Sequence, residues 1–199
     1  MMLRSSTSGR EVAAAILHLA QVVSGPGFTC GLTWAQCTAL RFLARANRFS
    51  RTASAFAAFH GTTRGTASQT IKSLIARGYV VRTRSATDGR SARLDLTATG
   101  WAVLANDPFE NLVGAAEELP ADLRSRAGEA IDRLIDDIAR RRSAQVFGTC
   151  GACRHRSEPA PVAEGAPQCE CRFARAVLAP NEMAELCIYF EPAQSSTRP

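Results

Sequence analysis

The sequence predicts a mainly α-helical protein with one small β-hairpin, on three observations. Apolar residues recur at the 3-4 spacing of a buried helix face along most of the chain. Only between Tyr79 and Leu96 does the period change to the alternation of paired strands, around an Asp88-Gly89 turn. The positive charge is gathered in that region: residues 60–96 hold seven Lys or Arg against two Asp, a net +5 in a chain whose formal charge is +6.

The stretch Thr52–Gly100 justifies each element in turn. A short helix runs from Thr52 to Phe59, a turn passes through His60, Gly61 and Thr62, and a longer helix spans Arg64 to Arg77. In the longer helix Ala67, Ile71, Leu74 and Ile75 form the buried stripe. Gly65, Gln69, Lys72, Ser73 and Ala76 fall on the opposite face, with Thr66 on its flank. A solvated helix face usually alternates charges. This one is small and polar with a single full charge, as a face that reads another molecule would be. Gly78 closes the helix at the position after its cap. Tyr79–Thr83 and Ala92–Leu96 are the two strands, and Arg84 to Ser91 is their polar tip. Helix, turn, helix and basic hairpin is the order of a winged helix-turn-helix, and focused positive charge is what phosphate binding requires.

These residues carry a resemblance to the MarR family of winged-helix transcriptional regulators. Leu32-Thr33-x-x-Gln36 precedes the domain, followed by Thr66-x-Ser68, Arg77-Gly78-Tyr79-Val80, Asp88-x-Arg90-Ser91 and Leu94-x-Leu96-Thr97-x-x-Gly100. The resemblance covers roughly residues 10–142 and departs from the family at Gln69, where an Arg is common, and in a cysteine-rich tail. It implies a cytoplasmic homodimer that binds an inverted-repeat operator in double-stranded DNA. The longer helix would enter the major groove and the wing the adjacent minor groove. The residues assigned to DNA are Arg64, Thr66, Ser68, Gln69, Lys72, Ser73, Arg84 and Arg90, with Asp88 orienting the Arg90 guanidinium. Gln69 can pair with adenine N6 and N7, and Thr66 and Ser68 can reach bases or phosphates. Arg90 is the residue that the family carries into the minor groove.

The chain then divides into residues 1–31, a mobile end and dimerisation helix; 32–100, the winged helix-turn-helix; 101–142, the C-terminal dimerisation helices; and 143–199, a cysteine-rich module. In the first, Ala13, Ile16, Leu17, Ala20 and Val23 line one helix face. Thr33 and Gln36 form a capping box ahead of a core helix with Trp34, Cys37, Leu40, Phe42 and Leu43. Cys37 reads as packing, whereas Cys30, in a loop, could be packed or redox-active. Thr97 caps the helix after the wing, and Asn106-Asp107-Pro108 interrupts it. Phe109 to Leu119 and then Leu123 to Ile138 continue as amphipathic helices, ending in Arg140-Arg141-Arg142. Two such helices exceed what one small domain buries, and a two-fold homodimer is the economical outlet.

Composition bounds the alternatives. An apolar fraction of 46% supports a sizeable core, and 21% charged residues is ordinary for a folded domain. No signal peptide or membrane-spanning run stands out, so the seven cysteines are expected in a reducing compartment. No nucleophile–base set or phosphate-binding Gly loop appears, which argues against an enzyme. A winged helix docking protein instead of DNA, or a small-molecule-responsive regulator with a structural zinc tail, are the other readings.

The tail carries the remaining chemistry. Cys150-x-x-Cys153, Cys169-x-Cys171 and Cys187 supply five thiols in a segment too short and polar for a core of its own. Cys-x-x-Cys places two thiolates on one turn, a spacing shared by zinc and iron–sulfur sites. Arg154 and Arg172, rather than Gly, follow the pairs, which points towards an iron–sulfur cluster over zinc. Cys150, Cys153 and Cys187 are the expected ligands, completed by Cys169, Cys171 or both, with His155 as an outside candidate.

Overall fold

The computed structural model describes residues 7–23, 31–84, 92–157 and 169–193. Among these residues seven helices run in chain order: α1 (Gly9–Val23), α2 (Trp34–Arg45), α3 (Ala53–His60), α4 (Arg64–Ala76), α5 (Ala98–Leu104), α6 (Phe109–Glu117) and α7 (Ala121–Arg142). Between α4 and α5 lies an antiparallel hairpin of β1 (Val80–Arg84) and β2 (Ala92–Leu96), in register from Val80 opposite Leu96 to Arg84 opposite Ala92.

Helix starts follow from side-chain caps. Thr33 and Gln36 form the expected capping box on α2, and Thr52, Thr63 and Thr97 accept from Ala55, Thr66 and Gly100 amides to start α3, α4 and α5. Gly61, with φ of 65°, ends α3 in the left-handed region that favours glycine. His60 belongs to α3 instead of the turn, stacked on Phe56 at 5.3 Å.

The core of the winged domain is built from Leu40, Phe42 and Leu43 of α2, Phe56 of α3, Ile71 and Leu74 of α4, and Val80 and Leu94 of the hairpin, all buried. The wing is locked to α5 at one close approach. Thr97 donates its hydroxyl to the Gly78 carbonyl at 2.7 Å, and its amide to Tyr79 O at 3.1 Å. A Cβ on Gly100 would collide with that same Tyr79 carbonyl, so Leu-Thr-x-x-Gly is a packing requirement. Farther on, Asp107 clamps Arg41 of α2 with two 2.6 Å bonds and accepts from the Phe109 amide to start α6.

The tail departs from its expectation. Its described residues form two minimal ribbons, β3 (Gly148–Thr149) with β6 (Leu186–Cys187) and β4 (Glu170–Cys171) with β5 (Ala176–Val177), plus 3-10 turns at Cys150–Ala152 and Pro180–Ala184. It is not a separate appendage. Leu186 is buried in the winged-domain core, with Phe147 and Ile188 packed against it. Phe147 meets Phe42 and Phe59 edge-on at 6.0 and 5.4 Å. A segment too polar to build a core has joined one already there.

Candidate nucleic-acid interface

Helix α4 presents the predicted face. Arg64, Gly65, Thr66, Gln69, Lys72 and Ala76 are exposed, whereas Ala67, Ile71 and Leu74 are buried. Thr66 is held by Thr63, whose hydroxyl lies 2.9 Å from its own, which fixes the first turn. Ser68 is half-buried. Ser73 is half-buried too, and its hydroxyl accepts from Gln36 Nε2 at 2.9 Å. That bond ties α4 to α2 and turns Ser73 inwards from the exposed line. The side chains brought together outside are therefore Arg64, Thr66, Gln69 and Lys72.

The wing is less uniformly free than its charge suggests. Arg82 is exposed, but Arg93 pairs with Asp95 at 2.9 Å. Arg77 donates to the Gly31 carbonyl at 3.0 Å and lies over the Tyr79 ring. Asp95 also accepts from Thr83 at 2.6 Å and Arg51 at 3.0 Å. Burial works to raise its carboxyl, but the bonds from Thr83, Arg51 and Arg93 outweigh it and hold the carboxyl below the ordinary range. Residues 85–91, with Asp88 and Arg90, lie outside the described residues, as do the Arg84 side chain and Cys30.

The five tail cysteines lie beside this domain. Cys150, Cys171 and Cys187 are buried; Cys153 and Cys169 are half-buried. The Cys150 and Cys187 thiols hydrogen-bond to each other. That bond, with others from Asn47, the Tyr189 backbone and Ser50, outweighs burial and pulls Cys187 down to about 6. The same bond, with burial, pushes Cys150 up. His155 is not placed as a ligand: its Nε2 lies 3.1 Å from Glu191 without hydrogen-bond alignment, and its ring packs on Phe173. Among the described residues, no group of three or more His, Cys, Asp or Glu stands ready to hold a metal ion.

Sequence reasoning missed Asn47 and Ser50, both fully buried in the α2–α3 turn, and Arg51 beside them. Arg51 joins the Ala46 carbonyl, Asp95 of β2 and Glu185 of the tail, at 2.8, 3.0 and 3.9 Å. An Asn-Arg-Phe-Ser-Arg turn carries no local sign of such a junction.

Helix-turn-helix, hairpin wing and an exposed polar face on the second helix together define a winged helix-turn-helix protein. Its residues 31–91 match the model of the MarR family. No curated protein matches the chain. Among solved structures, the S. aureus MepR–DNA complex is similar with 16% identity over 66% of this chain and 96% of that one, at a TM-score of 0.54. A MarR/EmrR family transcriptional regulator from Acinetobacter sp. ADP1 reaches 18% identity over 68% and 99%, at a TM-score of 0.54. CouR from Rhodococcus jostii RHA1 bound to p-coumaroyl-CoA reaches 16% over 63% and 90%, at 0.51. At these identities the likeness is one of fold. No described helix is long and apolar enough to cross a membrane.

Proposed function

We propose that this chain is a dimeric, sequence-specific regulator of transcription that binds double-stranded DNA in the cytoplasm, acting as a repressor. The observation that carries the reading is the outer line of α4. Thr66, Gln69 and Lys72 stand exposed on a helix whose other side is fixed by Ala67, Ile71 and Leu74 and by the Gln36–Ser73 bond. A rigid helix with an adenine-competent amide at its centre suits the major groove. Arg82 at the wing adds phosphate affinity, and Arg90, outside the described residues, is the residue proposed from the family resemblance to enter the minor groove.

Dimerisation rests on unpartnered apolar surface. None of the α1 residues is buried, and Ile16, Leu17 and Val22 are exposed. Ile131, Leu134, Ile135 and Ile138 of α7 are 41–54% exposed and line one groove with Ile16 and Leu17. A contiguous apolar face of this kind marks an interface, and a second copy covers both faces with one symmetric contact. Two α4 helices then read an inverted repeat.

The reading is tested by selecting binders from a pool of random duplexes with the purified full-length chain. It expects enrichment of a dyad-symmetric motif. Recovery of unselected sequence at the affinity of bulk DNA would refute it.

A further inference from the structure

The turn between α2 and α3 meets both the tail and the wing. Towards the tail, Leu186 forms a parallel bridge with Ala46 and accepts from the Asn47 amide at 2.9 Å. The Ile188 amide donates to Ser50 Oγ at 2.8 Å, and Arg48 donates to the Val177 carbonyl and pairs with Glu182 at 3.2 Å. Towards the wing, the Leu94 amide of β2 donates to the Arg51 carbonyl at 2.8 Å.

Arg51 spreads its guanidinium over all three parts. Its Nε donates to the Ala46 carbonyl at 2.8 Å, which closes the turn. Its Nη1 donates to Asp95 of β2 at 3.0 Å, and its Nη2 lies 3.9 Å from Glu185 of the tail. Asp95 also accepts from Thr83 of β1 and from Arg93 of β2, so both wing strands are tied to the carboxylate that Arg51 holds. The side chains of Arg51, Asp95 and Glu185 are only 16–25% exposed, so salt screens their attraction less than it does a surface pair. A planar guanidinium fixes direction as well as charge, whereas an ammonium on a flexible stem supplies the charge without the fork.

The grip of the tail on this turn is specific. Asn47 and Ser50 are fully buried, and the Ser50 hydroxyl donates to Asn47 Oδ1 at 2.8 Å while it accepts from the Ile188 amide. The tail thus buries these polar groups and supplies their partners, which is the condition on which buried polar groups are tolerated.

We propose that Arg51 is a positioning residue for the wing, and that the tail governs it by fixing the turn from which Arg51 reaches β2. The tail thereby sets how the hairpin, and the exposed Arg82 on β1 with it, is presented beside α4. The effect on DNA rests on the regulatory reading above; the coupling of tail to wing does not.

The experiment uses the full-length chain and two kinds of variant. Arg51→Lys keeps the charge and removes the fork. Ser50→Ala and Glu185→Gln loosen the hold of the tail and leave Arg51 in place. Amide hydrogen exchange is followed at Leu94 in the wing and at Ile71 in the buried stripe of α4, and their ratio is read so that a loss of overall stability cancels. Arg51→Lys should raise the ratio of Leu94 to Ile71 exchange about tenfold, and each tail variant about threefold. A residue that only stabilises the fold would leave that ratio unmoved. On a duplex selected by the parent chain, Arg51→Lys should bind roughly tenfold more weakly, losing protection at the hairpin contacts while keeping it at α4. A ratio unchanged in Arg51→Lys, a ratio unchanged in both tail variants, or affinity and footprint fully retained by Arg51→Lys would each overturn the proposal. A parent chain that selects no duplex would sink the DNA-binding reading alone, because the exchange readouts need no DNA.

Discussion

Leu186→Ala tests whether the tail is an integral part of the winged-helix core. Leu186 is 8% exposed and sits among residues of α2 and α3, 140 positions away in the chain from Ala46, with which it forms a parallel bridge. The substitution removes three carbons, worth about 2.4 kcal/mol at roughly 0.8 kcal/mol each. A cavity adds to this, but the short β3–β6 ribbon can close part of it, so a total of about 2–3 kcal/mol is expected, the low end for buried leucines. For a chain of this size that lowers the Tm by roughly 4–12 °C. Urea and thermal unfolding followed by far-ultraviolet circular dichroism, with metal chelated, reads the change. Proteolysis should also reach the chain sooner around residues 143–147. A variant within about 0.5 kcal/mol of the parent, the range of ordinary surface substitutions, would show that the tail does not share the core.

Three further outcomes are expected. Gln69→Ala should weaken binding to a selected duplex by about 1–3 kcal/mol and relax preference at one position per half-site; unchanged affinity and preference across single-base variants would remove Gln69 from base readout. Ile135→Asp places a charge in the exposed α7 face, and sedimentation should show a monomer where the parent chain is a dimer; two identical profiles would mean that this face is not the interface. Asp95 has a folded-state pKa below its unfolded value. Its contribution to stability is therefore full above the unfolded value and is lost as pH falls through the folded one. Asp95→Asn should flatten the acid limb of the stability profile, and an acid limb of unchanged steepness would contradict the Arg51–Asp95–Arg93 cluster as its source.

The legible parts of the fold were those encoded within a few residues of one another. The Thr33/Gln36 box, the stripe on α4, the Gly78 stop and the alternation of the two hairpin strands each act over a short stretch of chain, so a single sequence exposes them. The exposure of Gln69 and Lys72, with Thr66 on their flank, follows from the same periodicity. The inward turn of Ser73 does not, because its partner Gln36 lies on another helix and no local pattern reveals the bond. The packing of the tail is hidden from the sequence for a related reason. Leu186-Cys187-Ile188 reads as a short strand with nothing nearby to cover it, and its cover is a turn near residue 47 whose Asn and Ser look like loop residues. Their burial becomes intelligible only when the tail supplies Leu186 O and the Ile188 amide as partners. Cys169 and Cys171 are equivalent in sequence, yet Cys171 is buried and accepts from the Ala174 amide, whereas Cys169 is half-buried.

The most direct test of the central claim is a hydroxyl-radical footprint of the full-length chain on its selected duplex, combined with the protein-to-duplex stoichiometry. Two copies bound to one duplex, protecting two half-sites whose centres lie roughly 10 bp apart about a dyad, is the predicted result. A single protected site without a dyad, or one copy per duplex, would contradict an account in which paired α4 helices read an inverted repeat.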